Sequence, residues 1–317
     1  MAQYAYLSKP DPEWLRITPL IPSLYTTDII EFRKIWDAKH NRANRKVRID
    51  DAQKVIVKEH KIIGDAGHSI PCRTYVPTTK PELGETPEQA FPLFFWTFEG
   101  GNTSSFSSKP TIKTEITCSG PAHNMRSVDY RKAPENPFPA GIDDDYAGLK
   151  WALANVENIS VDVSKGVLIG GVSSGGNLTA VMAHRSLRDH EVRGKITGQL
   201  LLFPLTISYN ACPAKWKSEL LSMEQNKDDI ICSKVTVKLY TDAYLGGKLE
   251  NGFNPDFSPL LEPSFVGLPP VYIQIVGGDP LRDEGFLYDK LLRGWCSNQS
   301  GRISNKLAIE EAFAYAI

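Results

Sequence analysis

The residues with the plainest chemical meaning are Gly171-Val172-Ser173-Ser174-Gly175-Gly176-Asn177. They follow an apolar run, Val167-Leu168-Ile169, and open a stretch of helical pattern, so a G-x-S-x-G motif stands between a strand and a helix. In that setting the glycines let the chain reverse without a Cβ clash, and the turn lifts the Ser173 hydroxyl above the carboxyl edge of a sheet. A hydroxyl so presented is a nucleophile for acyl transfer. The backbone N–H of Ser174, at the start of the new helix, would face a developing oxyanion. The same residues could instead be a glycine- and serine-rich turn without chemistry, but the flanking strand and helix favour the elbow.

Such a turn needs a sheet beneath it, and the chain offers one. Leu93–Phe98, Gly166–Gly170, Leu200–Phe203 and Val271–Val276 are short, nearly continuous apolar runs. Runs of this kind suit parallel strands buried on both faces. Between and after them lie helical segments: Ala140–Val156, with Ile142, Tyr146, Leu149 and Leu153 at helical spacing, then Ser174–His190 and Asp283–Arg293. Alternating strands and helices predict an α/β sheet covered on both faces. Ahead of them, Thr27–Lys39 reads as a helix with Ile29, Phe32, Ile35 and Trp36 on one face and Thr26 or Thr27 as its cap. Lys54–Ile63 and Ser69–Val76 read as strands of a hairpin closed by Gly64-Asp65-Ala66-Gly67. The interval Thr206–Pro259 is irregular. One domain over residues 1–317 is expected, with cap elements from about 1–50 and 206–256.

Bulk composition narrows the partners. Lys plus Arg (36) nearly equals Asp plus Glu (37), so no global field favours nucleic acid or an anionic membrane. No run of apolar residues is long enough to span a bilayer, and the first residues lack the pattern of a signal peptide. The five cysteines are scattered without zinc-ligand spacing, which predicts free thiols in a reducing cytoplasm. No metal or organic cofactor is implied.

Several blocks match a known family. Tyr130-Arg131-Lys132-Ala133-Pro134-Glu135-Asn136-Pro137-Phe138-Pro139-Ala140 resembles the YRxAPExxFPA block of the hormone-sensitive-lipase-like esterases, the α/β-hydrolase fold-3 group. Ser173-Ser174-Gly175-Gly176-Asn177-Leu178 is similar to that family's S-A-G-G-N-L, and Asp279-Pro280-Leu281-Arg282-Asp283-Glu284-Gly285 to its D-P-L-R-D-E-G. Phe257-Ser258-Pro259-Leu260 and Gly267-Leu268-Pro269-Pro270 also stand in family order, so the resemblance covers roughly 50–295 and is closest to fungal members. It implies an α/β-hydrolase fold with a mostly parallel sheet and a helical cap. It also implies Ser173 as nucleophile, Asp279 as triad acid, and an oxyanion hole from the N–H groups of Gly100, Gly101 and Ser174. Asp279 reads equally well as a helix N-cap, and both roles can hold together.

The chain departs from the family at three points. Its oxyanion loop reads Glu99-Gly100-Gly101-Asn102 where the family has His-Gly-Gly-Gly; Glu99 brings negative charge, and Asn102 is expected to be barred from glycine-only conformations. Val172 replaces the acid beside the nucleophile. No histidine follows Asp279 in these 317 residues, and Glu311 stands where one would precede Ala-Phe. His184 lies eleven residues along the helix from Ser173, roughly 16 Å away at 1.5 Å per residue, and His123 is expected at the wrong edge of the sheet. His40, His60, His68 and His190 are expected in structural or surface positions. The stretch Ala122–Arg126 is polar where a central strand should be apolar, so the strand is expected only from Ser127 to Tyr130.

Three functions follow as expectations. The first is hydrolysis of a small or medium acyl ester, with activity reduced or lost for want of the histidine. The second is non-catalytic binding of a small hydrophobic ligand under the cap. The third is non-hydrolytic chemistry such as a lyase or cyclase step on the same scaffold.

Overall fold

A computed structural model describes residues 3–21, 26–46, 55–65, 67–77, 90–103, 124–296 and 306–310. The described chain opens with α1 (Pro12–Ile17) and α2 (Ile29–Lys46), followed by β1 (Val55–Ile63), β2 (Ser69–Pro77), β3 (Leu93–Thr97) and β4 (Asn124–Val128). Then come α3 (Ala140–Ala154), β5 (Val167–Val172), α4 (Ser174–Arg188) and β6 (Gly198–Leu202). The irregular interval carries α5 (Ser222–Gln225) and α6 (Lys234–Tyr244), and β7 (Val271–Val276), α7 (Arg282–Cys296) and β8 (Lys306–Glu310) follow.

The apolar runs form the middle of an eight-stranded sheet ordered β1-β2-β4-β3-β5-β6-β7-β8. The pairs β1–β2 and β2–β4 are antiparallel, and every pair from β4–β3 to β7–β8 is parallel. Phe95 pairs with Ile169 and Leu201 with Ile273, and all four side chains are buried, as continuous apolar strands require. Ile142, Tyr146, Leu149 and Leu153 bury the predicted face of α3. Because β3, β5, β6 and β7 run the same way, the loops leaving them gather at one carboxyl edge, where open α/β sheets build their sites.

Three local expectations are corrected. The cap of α2 is Asp28, whose Oδ1 accepts from the N–H groups of Ile30 (2.8 Å) and Glu31 (3.2 Å). Thr26 instead donates its hydroxyl to Glu31 (2.7 Å), because a carboxylate accepts an N-terminal N–H more strongly than a threonine hydroxyl does. Ile35 is 39% exposed, so the buried stripe of α2 runs through Phe32 and Trp36 without it. Finally, β4 begins at Asn124, three residues before the expected strand; β2 on one side and β3 on the other both pair with its backbone, and that double ladder outweighs the polarity of the run.

Candidate active site

The turn from β5 into α4 holds Ser173 at φ 55°, ψ −116°, a conformation that L-residues rarely adopt. Its N–H donates to the Leu202 carbonyl (2.8 Å), and its carbonyl accepts from Asn177 N–H (2.9 Å). Close packing makes the glycines obligatory. A Cβ on Gly171 would lie 2.4 Å from the Gly175 carbonyl carbon, and one on Gly175 would lie 2.3 Å from the Thr97 carbonyl oxygen. The elbow is thus wedged against the end of β3. Ser173 is half-buried and its side chain does not cap α4, while Ser174 is buried as the first residue of that helix.

The loop leaving β3 lies beside this elbow. Gly100, Gly101 and Asn102 all have positive φ, at 114°, 61° and 59°. Asn102 thus occupies the left-handed region, which asparagine is among the few non-glycine residues to tolerate. Local bonds hold it there: its carbonyl accepts from Ala133 N–H (2.9 Å), and its Oδ1 accepts from the Tyr130 hydroxyl (3.3 Å). Tyr130 also reaches the Phe98 carbonyl (3.2 Å), and Thr103 closes the turn onto the Gly100 carbonyl through its N–H (3.0 Å).

Asp279 follows β7 and is 2% exposed. Its Oδ1 accepts from the N–H of Leu281 (2.8 Å), the residue just ahead of α7. Burial pushes its carboxyl up to about 7, the Leu281 N–H opposes the rise, and the carboxylate of Asp229 adds to it.

The geometry so far is a strained serine at a strand–helix turn, a glycine-containing loop beside it and a buried acid two strands away. Family comparison gives the same answer: the model of the alpha/beta hydrolase fold family matches residues 106–301. The chain belongs to this family. It is similar to the carboxylic ester hydrolase LipN of Mycobacterium tuberculosis, at 33% identity over 241 residues, 75% of this chain and 60% of LipN. It is also similar to the esterase LipI of the same organism, at 30% identity over 89% of this chain and 81% of LipI. Other curated relatives are matched over about half their length, 48% and 49%. Among solved structures, vibralactone cyclase is 31% identical with a TM-score of 0.81, over 96% of this chain and 86% of that one.

Against the family pattern, the histidine side chains among the described residues stand apart from the elbow. His60 contacts the Thr74 hydroxyl (2.9 Å), His68 the Asp144 carboxylate (2.8 Å) and His184 the Tyr288 hydroxyl (3.1 Å). His190 is exposed just beyond α4. Among the described residues no histidine is hydrogen-bonded to Ser173 or Asp279. His123 and Glu311 lie outside the described residues; the last residue of β8, Glu310, pairs with Val276 of β7.

Sequence reasoning missed how the D-P-L-R-D-E-G block holds the α/β-hydrolase chain together. Asp283 Oδ2 accepts from the N–H groups of Leu221 and Ser222 (2.8 Å each), and Glu284 Oε1 accepts from Thr206 N–H (2.5 Å). Buried Arg282 donates to Asp283, the Gly277 carbonyl and the Ser8 hydroxyl. These residues tie the irregular interval and the N-terminal segment to the end of β7. Only the density of charge in a buried family block could have signalled it. A second residue that sequence reasoning missed is Tyr240, on α6, whose ring lies over Gly101 and edge-on to Phe32 of α2 (5.0 Å between centroids). Two spaces adjoin the site. A notch of about 20 Å³ lies between Ser174, Asn177 and Gly101, and a cleft of about 280 Å³ opens between Trp14, Asp229 and Gly278, beside Asp279.

Proposed function

We propose that this chain is a serine-dependent carboxylic-ester hydrolase of low turnover, folded as a single domain whose cap is made by residues 1–50 and 206–256. The observation that carries the reading is the Ser173 backbone, held at φ 55°, ψ −116° on a strand-to-helix turn. Strain of this kind persists only where surrounding structure enforces it, and it concentrates at functional sites. The contact of Phe32 with Tyr240 joins the two cap segments above the loop. The thiols of Cys212 and Cys232, which form no disulfide, support a cytoplasmic setting.

In this reading Ser173 Oγ attacks the ester carbonyl carbon and forms an acyl–serine bond as the alcohol leaves with a proton. The N–H groups of Ser174, Gly100 and Gly101 stabilise the oxyanion, and water then releases the acid. Asp279 is the acid of the triad. With no histidine bonded to Asp279 or Ser173 among the described residues, turnover is lower by a factor on the order of 10⁴ to 10⁶. Glu311 is the candidate that would take the serine proton in its place. The similarity to vibralactone cyclase supports a variant in which an internal hydroxyl of the substrate, rather than water, captures the acyl group.

The test is hydrolysis of p-nitrophenyl acetate and butyrate beside Ser173→Ala. Slow turnover that disappears in the variant is expected. Equal rates in both proteins would overturn the hydrolase reading and leave the second one, a small-molecule-binding protein. That reading is favoured by an Asp279 with no imidazole bonded to it among the described residues.

A further inference from the structure

Three residues that line the notch behind the oxyanion loop, Ser174, Asn177 and Tyr244, each carry a buried polar atom that the protein leaves unbonded. Ser174 is 6% and Asn177 1% exposed, and neither Ser174 Oγ nor Asn177 Oδ1 has a hydrogen-bond partner in the protein. The orientation of the asparagine amide is fixed by its other end. Its Nδ2 donates to the carbonyls of Leu205 (2.8 Å) and Phe257 (2.7 Å), and a carbonyl can only accept. Oδ1 therefore remains the end that needs a donor, and both residues line the notch together with Gly101, Asn102 and Tyr244. A buried acceptor without a donor is costly, and proteins resolve such sites with ordered water.

The space matches one water. A water needs roughly 10–15 Å³ of room for its centre and two to four polar partners. The notch offers about 20 Å³, and the unbonded atoms of Ser174, Asn177 and Tyr244 on its lining residues are the available partners.

We propose that this notch binds a single structural water that donates one O–H to Asn177 Oδ1 and shares a second hydrogen bond with Ser174 Oγ. The hydroxyl at position 174 is this chain's own, since the family block it resembles has alanine there. The water touches both walls of the oxyanion hole from behind: Ser174, whose N–H is one candidate donor, and Gly101, whose N–H is another. It thus makes Ser174 a positioning residue as well as a donor, a consequence that rests on the hydrolase reading; the water site itself does not.

A high-resolution crystal structure of the full chain tests the site. One density peak within about 2.7–3.2 Å of both Ser174 Oγ and Asn177 Oδ1 is expected. An empty notch, or a Ser174 hydroxyl turned onto a backbone carbonyl, overturns the proposal. Ser174→Ala removes one partner and is expected to lower Tm by about 2–4 °C. With p-nitrophenyl acetate it is expected to lower kcat several-fold while KM stays unchanged; an unchanged kcat overturns the positioning role. If the parent protein has no Ser173-dependent turnover, the hydrolase reading fails, and the density at the notch still decides the water site.

Discussion

The ring of Tyr240 packs so closely on Gly101 that a Cβ built on the glycine would sit 2.1 Å from Tyr240 Cδ1 and 2.3 Å from Cγ. One aromatic side chain of α6 is therefore seated on the backbone of the loop that carries two candidate oxyanion donors. The loop and the irregular interval share one packing solution: neither can shift without the other.

Gly101→Ala should accordingly be destabilising twice over. The residue has φ 61°, and its new methyl would enter the Tyr240 ring. A cost of about 1–3 kcal/mol is expected by urea unfolding. Tyr240→Ala in the same chain should recover part of it, with a coupling of roughly 0.5–3 kcal/mol in the double-mutant cycle. Additive effects would show that the two residues do not share strain.

Ser173 makes a prediction of the opposite sign. At φ 55°, ψ −116° a Cβ is strained, and glycine is not. Ser173→Gly should abolish any serine-dependent hydrolysis yet unfold at a higher urea concentration than Ser173→Ala, by about 1 kcal/mol. Alanine keeps the Cβ and serves as the control for loss of the hydroxyl. Equal midpoints for the two variants would mean that the elbow stores no strain.

Much of this arrangement is legible in the sequence because it is local. The G-x-S-x-G turn, the apolar runs of β3, β5, β6 and β7, and the spacing of Ile142, Tyr146, Leu149 and Leu153 each carry their meaning within a few residues. What the sequence hides depends on contacts across the chain. Asn102 reads as a misfit in its loop until Tyr130 and Ala133 are seen to hold it. Tyr240 reads as one aromatic in an irregular interval, and its seat on Gly101 is set by tertiary packing. The strand β4 is polar at its start, and only its neighbours β2 and β3 explain it. Asp283 and Glu284 look like charges in the first turn of a helix, yet their carboxylates anchor backbone N–H groups some sixty to eighty positions away.

Burial of Asp279 sets a pH dependence that can be measured without any substrate. Its carboxyl titrates at about 7 in the folded chain, against an ordinary 3.8, so between these values the folded state holds the proton more tightly. Stability contributed by this group is then greatest below about pH 4 and is lost as pH rises towards 7 and beyond. Asp279→Asn keeps an oxygen for Leu281 N–H and cannot ionise. Its stability relative to the parent should rise between pH 5 and 8, on the order of 2 kcal/mol. Asp145, also lifted to about 7 by burial, acts in the same direction and remains in both proteins. Thermal unfolding of the pair at pH 5 and pH 8 checks the point; a constant difference would show that Asp279 is ionised at both.

His184 pulls the other way. Burial beside Phe265 and Tyr288 lowers its imidazole to about 3, with the Arg188 charge adding to the effect, whereas an ordinary histidine titrates near 6.5. Between those values the unfolded chain takes up a proton that the folded chain refuses, so stability falls as pH drops below 6.5. His184→Gln keeps a polar group near the Tyr288 hydroxyl and removes the titration. It is expected to cost about 1 kcal/mol at pH 7.5 through poorer packing, then lose less stability than the parent between pH 6.5 and 4.5. The two unfolding curves should therefore converge and then cross in acid. The same residue cannot serve as the missing base: its Nε2 is occupied by Tyr288 and its ring is buried in a different part of the core. If any Ser173-dependent hydrolysis is found, His184→Gln should leave its pH profile unmoved, and a profile that loses its acid-side limb in this variant would place His184 in the proton path after all.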